Sequence, residues 1–244
     1  MLYYLLNCKQ YIIMVLSMEY IGDLIGIVGT FIFVFLIIGL GEFLRKKFNL
    51  STEFTRKVIH IGVGNWVFLW PFSFKHWYAV AIPPAFFIAL NYLSYRREIF
   101  KAMERKEKAG GLGTVYYALS LTLLAAVFWY VEKPWIAALG MILMAWADGL
   151  ADVIGRKFGI HKYRIMGSVK SFEGSIGFFI IGVLSSFATI SFFKAYMEAT
   201  LTHPVLLISI LIAGIATIIE GLSPKGTDNL TVPIVSSFLL YAIV

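Results

Sequence analysis

The amino-acid sequence predicts an all-α protein: a polytopic membrane bundle of about eight transmembrane helices, some of them short or re-entrant. Three observations predict it. The 244 residues are 59% hydrophobic, with a mean hydropathy of +0.81. Only 14% of them are charged, against roughly 25% in soluble domains. The apolar residues also fall in long continuous runs instead of alternating with polar ones. A soluble chain of this length could not hide so much apolar surface, so lipid is its solvent. In lipid the backbone must satisfy its own hydrogen bonds, and runs of about 20 apolar residues do so as helices across a hydrocarbon core of roughly 30 Å. A β-barrel would need the missing alternation.

Taken in order, the runs lie at about 22–44, 58–72, 77–94, 114–131, 134–154, 175–193, 204–220 and 232–244. The second and eighth are short and are expected to be tilted, re-entrant or partly inserted. Residues 1–21 form a poorly defined segment, apolar but broken by Asn7, Lys9 and Gln10. It lacks the small-residue cleavage site of a signal peptide, and Met14 and Met18 are alternative starts. The single cysteine, Cys8, lies there, so an intrachain disulfide and a cysteine metal site are both excluded.

The net charge of +7 is unevenly spread. Arg45, Lys46, Lys47, Arg56 and Lys57 lie between the first two spans. Arg96, Arg97, Lys101, Arg105, Lys106 and Lys108 lie between the third and fourth. Arg156, Lys157, Lys162, Arg164 and Lys170 lie between the fifth and sixth, and Lys225 follows the seventh. Only Lys9, Lys75, Lys133 and Lys194 fall on the other side. The positive-inside rule then puts both termini outside and the long polar segments in the cytoplasm. These residues flank spans instead of forming a soluble domain, which argues against nucleic acid as a partner. Part of their work is contact with membrane lipids, and the alternating charges of 96–108 suit a solvated helix.

The chemistry is concentrated in five polar clusters. Asp148 and Asp152 close the fifth span, four residues apart and so on one helical face. Like charges there need a cation, either a divalent metal or nearby Arg and Lys side chains. Magnesium, which takes few carboxylates together with waters and phosphates, matches; the alternative is an ion pair with Arg156 or Lys157. Gly167-Ser168-x-Lys170-Ser171-x-Glu173-Gly174-Ser175 then opens the sixth span. Its glycines allow close backbone approach, a helix start offers free N–H groups to an anion, and Lys170, Ser168 and Ser171 add charge and donors. An ordinary turn is the alternative.

Arg56, Lys57 and His60 share a face at the start of the second span. They would serve as phosphate contacts, with His60 either an acid/base group or a plain hydrogen-bonding residue. Gly110-Gly111-Leu112-Gly113-Thr114 begins the fourth span, Glu220 ends the seventh, and Asp228-Asn229 precedes Pro233. All five clusters fall on one predicted face, which points to a single site binding the phosphates of a nucleotide.

These residues resemble the polyprenol kinase family, membrane-embedded CTP-dependent kinases of dolichol, phytol and diacylglycerol that are related to phosphatidate cytidylyltransferases. The matching elements are Arg56-Lys57-x-x-His60, Gly110-Gly111-x-Gly113-Thr114, the Asp148–Asp152–Gly155–Arg156 segment, Gly167 to Ser175, and Asp228-Asn229-Leu230-x-x-Pro233. They cover residues 50 to 244, and 22–244 reads as a single integral membrane kinase-like domain.

The resemblance implies phosphoryl transfer from CTP, with Mg2+, to the hydroxyl of a lipid alcohol drawn from the bilayer. Asp148 and Asp152 would hold the metal. Lys170, Ser168, Ser171, Gly174, Ser175, Thr114 and Asn229 would hold the nucleotide. Arg56, Lys57, His60, Arg156 and Lys157 would contact phosphate, and Glu173 or Asp228 would accept the alcohol proton or complete the metal site. A cytidylyltransferase making a CDP-lipid is the alternative. A transporter fits less well, because the acids sit at span ends and no inverted repeat is evident. The sequence carries no signal for an oligomeric state.

Overall fold

The computed structural model describes residues 2–102, 112–197 and 201–244, with side chains described from Met18 onward. The solvated helix expected over 96–108 is not continuous, because the helix before it ends at Arg97 and Glu98 turns left-handed; its residues 103–108, with Gly110 and Gly111, lie outside the described residues. Among the described residues, ten α-helices and one hairpin follow in order: α1 (Leu2–Phe48), α2 (Thr52–Asn65), α3 (Trp70–Ser73), α4 (Trp77–Arg97), α5 (Gly113–Tyr130), α6 (Pro134–Leu143), α7 (Gly149–Phe158), β1 (Lys162–Ile165), β2 (Ser168–Ser171), α8 (Phe172–Met197), α9 (Val205–Leu222) and α10 (Asp228–Ile243). Six stretches of the described residues are long and apolar enough to cross a membrane: Met18–Phe48, Trp77–Arg97, Gly113–Tyr130, Pro134–Phe158, Phe172–Met197 and Val205–Leu222. The molecule is the expected polytopic helical bundle.

The two runs read as short are short. α10 has 16 residues. The run expected at 58–72 starts earlier, at Thr52, where Ser51 caps α2 by accepting the N–H of Phe54 at 3.3 Å. It then breaks through a 3-10 turn at Trp66–Phe68 into the four-residue α3, whose first turn holds Pro71. A clamp on α1 secures the break. The buried Asp23 carboxylate accepts the backbone N–H of Lys75 at 2.7 Å and meets Nδ1 of His76 at 2.5 Å.

Pro134–Phe158 is the central helix. It is apolar on every side of its first ten residues, and such a helix must be enclosed by others. Leu139, Met141, Leu143, Met144 and Ala145 are fully buried. It is not a regular helix throughout, because Met144–Asp148 forms a π turn between α6 and α7. Such turns are local irregularities that often mark functional positions. Asp148 is its last residue.

A small hairpin interrupts the helices. Where the sequence suggests a loop, β1 and β2 pair antiparallel, with Tyr163 opposite Lys170 and Ile165 opposite Ser168. Their two-residue connection, Met166 and Gly167, has positive φ at both positions, 47° and 79°. That is the backbone a tight type I′ turn demands. β2 runs directly into α8, where the Ser171 hydroxyl accepts the N–H of Gly174 at 3.1 Å. The start of α8 crosses α7 closely. A Cβ on Gly174 would lie 3.3 Å from the Gly155 Cα and 3.1 Å from the Ser171 Oγ.

Candidate active site

A cavity of about 1070 Å³ opens at one end of the bundle, at the upper end of the range for small-molecule sites. Its walls come from the N-terminal ends of α2, α5 and α10, from α7, from the hairpin, and from the C-terminal end of α9. All five sequence clusters contribute. Arg56, Lys57, Thr114, Asp148, Asp152, Arg156, Ser168, Lys170, Ser171, Gly174, Ser175, Asp228 and Asn229 line it.

At its floor are two lysine–carboxylate pairs. Lys57, buried on α2, donates to the Asp148 carboxylate at 2.7 Å and to its carbonyl at 3.2 Å, and lies 3.5 Å from Asp152. Lys170, on β2, meets the Glu220 carboxylate at 2.5 Å and also the Glu220 carbonyl. Asp228 is the third acid. One carboxylate oxygen each from Asp148, Glu220 and Asp228 lies within 4.8 Å of the others. Two carboxylates at that separation repel by roughly 3 kcal/mol at an effective dielectric of about 20, so cations are required and two are present. Asp228 is turned in by its own neighbours, since its carboxylate accepts the Asn229 backbone N–H at 2.9 Å and side-chain amide at 3.0 Å.

This arrangement differs from the expected metal site. Asp148 is in the acidic cluster, but Asp152 is not. Asp152 accepts from Arg156 at 3.0 Å, faces Lys57, and stands 4.0 Å from Arg56. The two aspartates do share a face, and protein cations already offset them there. The acids that converge with Asp148 come from α9 and α10. Their spacing fits Mg2+, which takes one or two carboxylates directly and keeps waters and phosphate oxygens for the rest.

Three other expected contacts sit elsewhere. The Glu173 carboxylate turns away to His161, accepting its backbone N–H at 3.1 Å and meeting Nδ1 at 2.7 Å, and so ties the hairpin to α8. Lys157 is exposed on the outer face of α7, its ammonium 5.2 Å from the Phe158 ring centroid. His60 lies below the polar cavity, its ring 4.4 Å from that of Tyr117. Ser171 lines the cavity, yet its oxygen is engaged as the cap of α8. Conversely, Glu53 carries weight that the sequence did not signal. Its carboxylate bridges Arg56 and Arg156 at 3.0 Å each, across 103 residues in the second case.

A narrow apolar slot of about 80 Å³ continues from the polar cavity between α1, α2, α4 and α5. The two spaces share Arg56, Gly113, Thr114 and Asn229 in their walls. A charged space and a largely apolar one therefore meet at one threshold.

The chain is 34% identical over 223 residues to phytol kinase of Synechocystis sp., an overlap covering 89% of this chain and 90% of that one. The chain belongs to the polyprenol kinase family. Among further relatives of this family member, farnesol kinase, chloroplastic, of Arabidopsis thaliana is 29% identical over 87% of this chain and 73% of its own. CTP-dependent diacylglycerol kinase 1 of Schizosaccharomyces pombe is 28% identical over 81% of this chain and 96% of its own. No family model matches the chain, and no solved structure matches it.

Proposed function

We propose that this polyprenol kinase family member transfers the γ-phosphoryl group of CTP, with Mg2+, to the hydroxyl of an isoprenoid alcohol of the phytol, polyprenol or dolichol type, at the cytoplasmic face of the membrane. The observation that carries the reading is the junction of a charged cavity with an apolar slot at four shared residues. A nucleotide and a lipid alcohol have opposite solvation needs, and their reacting atoms must still meet. Relatives named for phytol, farnesol and diacylglycerol support the alcohol as acceptor, and the last of these supports CTP as donor.

Phosphoryl transfer passes through a loose transition state and asks little covalent chemistry of a protein; positioning and charge neutralisation do most of the work. Lys57 and Lys170 bring two ammoniums to the floor of the cavity, and Arg56 and Arg156, held by Glu53, bring two guanidiniums to its wall. Asp148, Glu220 and Asp228 would hold the metal ion, which would neutralise the triphosphate as charge shifts to the leaving group. The hairpin carries Lys170 and Ser168 over the cavity, and the Gly155–Gly174 crossing lets the backbone at the start of α8 approach it. Seventeen of the 21 basic residues lie in segments on this side of the membrane, which favours the cytoplasmic face.

The test is γ-labelled CTP with magnesium and a panel of isoprenoid alcohols and diacylglycerol in liposomes. Label is expected on an isoprenoid alcohol, with a loss of about a hundredfold or more in Lys170→Ala, in line with the removal of one preorganised charge from such a site. Wild-type turnover in Lys170→Ala would remove the hairpin from the mechanism. The absence of γ-label on any lipid would refute the kinase reading.

A further inference from the structure

Among the described residues, four buried polar atoms of residues lining the slot have no hydrogen-bond partner: Nε of Arg56, Nε2 of His60, Nε1 of Trp70 and the hydroxyl of Tyr117. Such atoms are rare in folded proteins, and each costs on the order of 1–3 kcal/mol if left unpaired. His60 Nε2 is the one that can only accept when the other ring nitrogen carries the proton. Much of the remaining wall is apolar, with Val34 and Ile38 of α1, Ile59 of α2, Phe87 of α4 and Leu121 of α5 in it.

We propose that the slot seats the hydroxyl-bearing end of a single prenyl chain, and that His60 Nε2 accepts the hydrogen bond of the alcohol's hydroxyl at its threshold. This proposal rests on the kinase reading above and names how that acceptor is held.

His60 is placed for the task. Its Nε2 is buried and has no partner. A neutral imidazole with the proton on Nδ1 presents Nε2 as an acceptor. His60 follows Lys57 by three residues, about 4.5 Å along the helix, and Lys57 is the residue that reaches Asp148. A hydroxyl on His60 therefore sits one turn below the phosphate-binding floor, and the Tyr117 ring lies beside it, tilted by 50°. The slot also selects. At about 80 Å³ it has room for the end of one slender chain, whereas a diacylglycerol presents its hydroxyl beside two ester-linked chains that demand more space. Pro84 of α4 also lines the slot.

The experiment measures initial rates of γ-phosphoryl transfer from CTP in liposomes to geraniol, phytol and dioleoylglycerol. It compares wild type, His60→Phe, His60→Gln and Val34→Phe, with CTP binding titrated on each purified protein to confirm folding. Wild type is expected to label geraniol and phytol and to label dioleoylglycerol at least tenfold more slowly than phytol. His60→Phe keeps the ring and removes the acceptor, and should raise the KM for phytol about tenfold, the equivalent of ~1.4 kcal/mol, with CTP binding unchanged. His60→Gln restores an acceptor and should recover part of that loss. Val34→Phe fills the slot and should likewise raise the KM for phytol. Phytol KM within twofold of wild type in both His60→Phe and Val34→Phe, or dioleoylglycerol labelled as fast as phytol, would overturn the slot and leave the kinase reading standing. If wild type labels no lipid at all, both fall.

Discussion

Asp148 and Asp152 look equivalent in the chain, one helical turn apart, yet their surroundings assign them different work. Asp148 joins Glu220 and Asp228, whereas Asp152 holds Arg156 and backs Lys57. Asp228→Asn should raise the magnesium concentration needed for half-maximal rate, and Asp152→Asn should lower the rate while leaving that concentration close to wild type. A magnesium titration of both variants checks the contrast, and equal shifts would mean that Asp152 is a ligand after all. Lys57 tests the other half of the site. Its removal strands two acids at the floor, and uncompensated buried charge costs about 3–5 kcal/mol. Lys57→Met should therefore lower the thermal unfolding midpoint in detergent by several degrees, whereas exposed Lys157→Ala should leave it unchanged. The spacing of the two aspartates was legible in the sequence, as was the need for a cation beside them. That the cation is Lys57, 91 residues away, was not, because no local pattern encodes a partner on another helix. Glu173 misled for a similar reason: it reads as part of a phosphate loop, while His161 twelve residues earlier captures it.

At the scale of elements, the hairpin and the π turn are the two features that hydropathy misses. Each is brief, one formed of four-residue strands and the other of five residues inside a long apolar run. The turn Met166-Gly167 also departs from the Asn-Gly usual in type I′ turns, so it gave no hairpin signal. Met166 holds φ at 47°, a region that asparagine tolerates better than methionine. Met166→Asn should slow hydrogen exchange across 162–171 without changing the rate of transfer; faster exchange would contradict the turn assignment. The α7–α8 crossing is the stricter element. Gly174→Ala puts a methyl against the Gly155 backbone, and overpacking of that kind costs about 1–3 kcal/mol. Because β2 leads into α8, the same change should displace Lys170, lowering activity more than stability alone would require.

For the molecule as a whole, the bundle was legible because lipid imposes one rule on every span, and the six long helices obey it. The two doubtful runs were short for reasons that composition could flag but not resolve. α2 is polar at its start because Arg56 and Lys57 belong to the cavity, and α10 begins with Asp228 for the same reason. The convergence of five distant clusters was visible only as a shared face of the membrane. Packing turns that shared face into a cavity and joins it to the slot. The most direct measurement of the central claim uses CTP labelled separately at the α- and γ-phosphates, offered with magnesium to liposomes containing phytol and phytyl phosphate. The account predicts γ-label on phytol, no α-label on either lipid, and loss of the signal in Asp228→Asn. An α-label on the lipid phosphate would instead make the cavity a nucleotidyl-transfer site and contradict it.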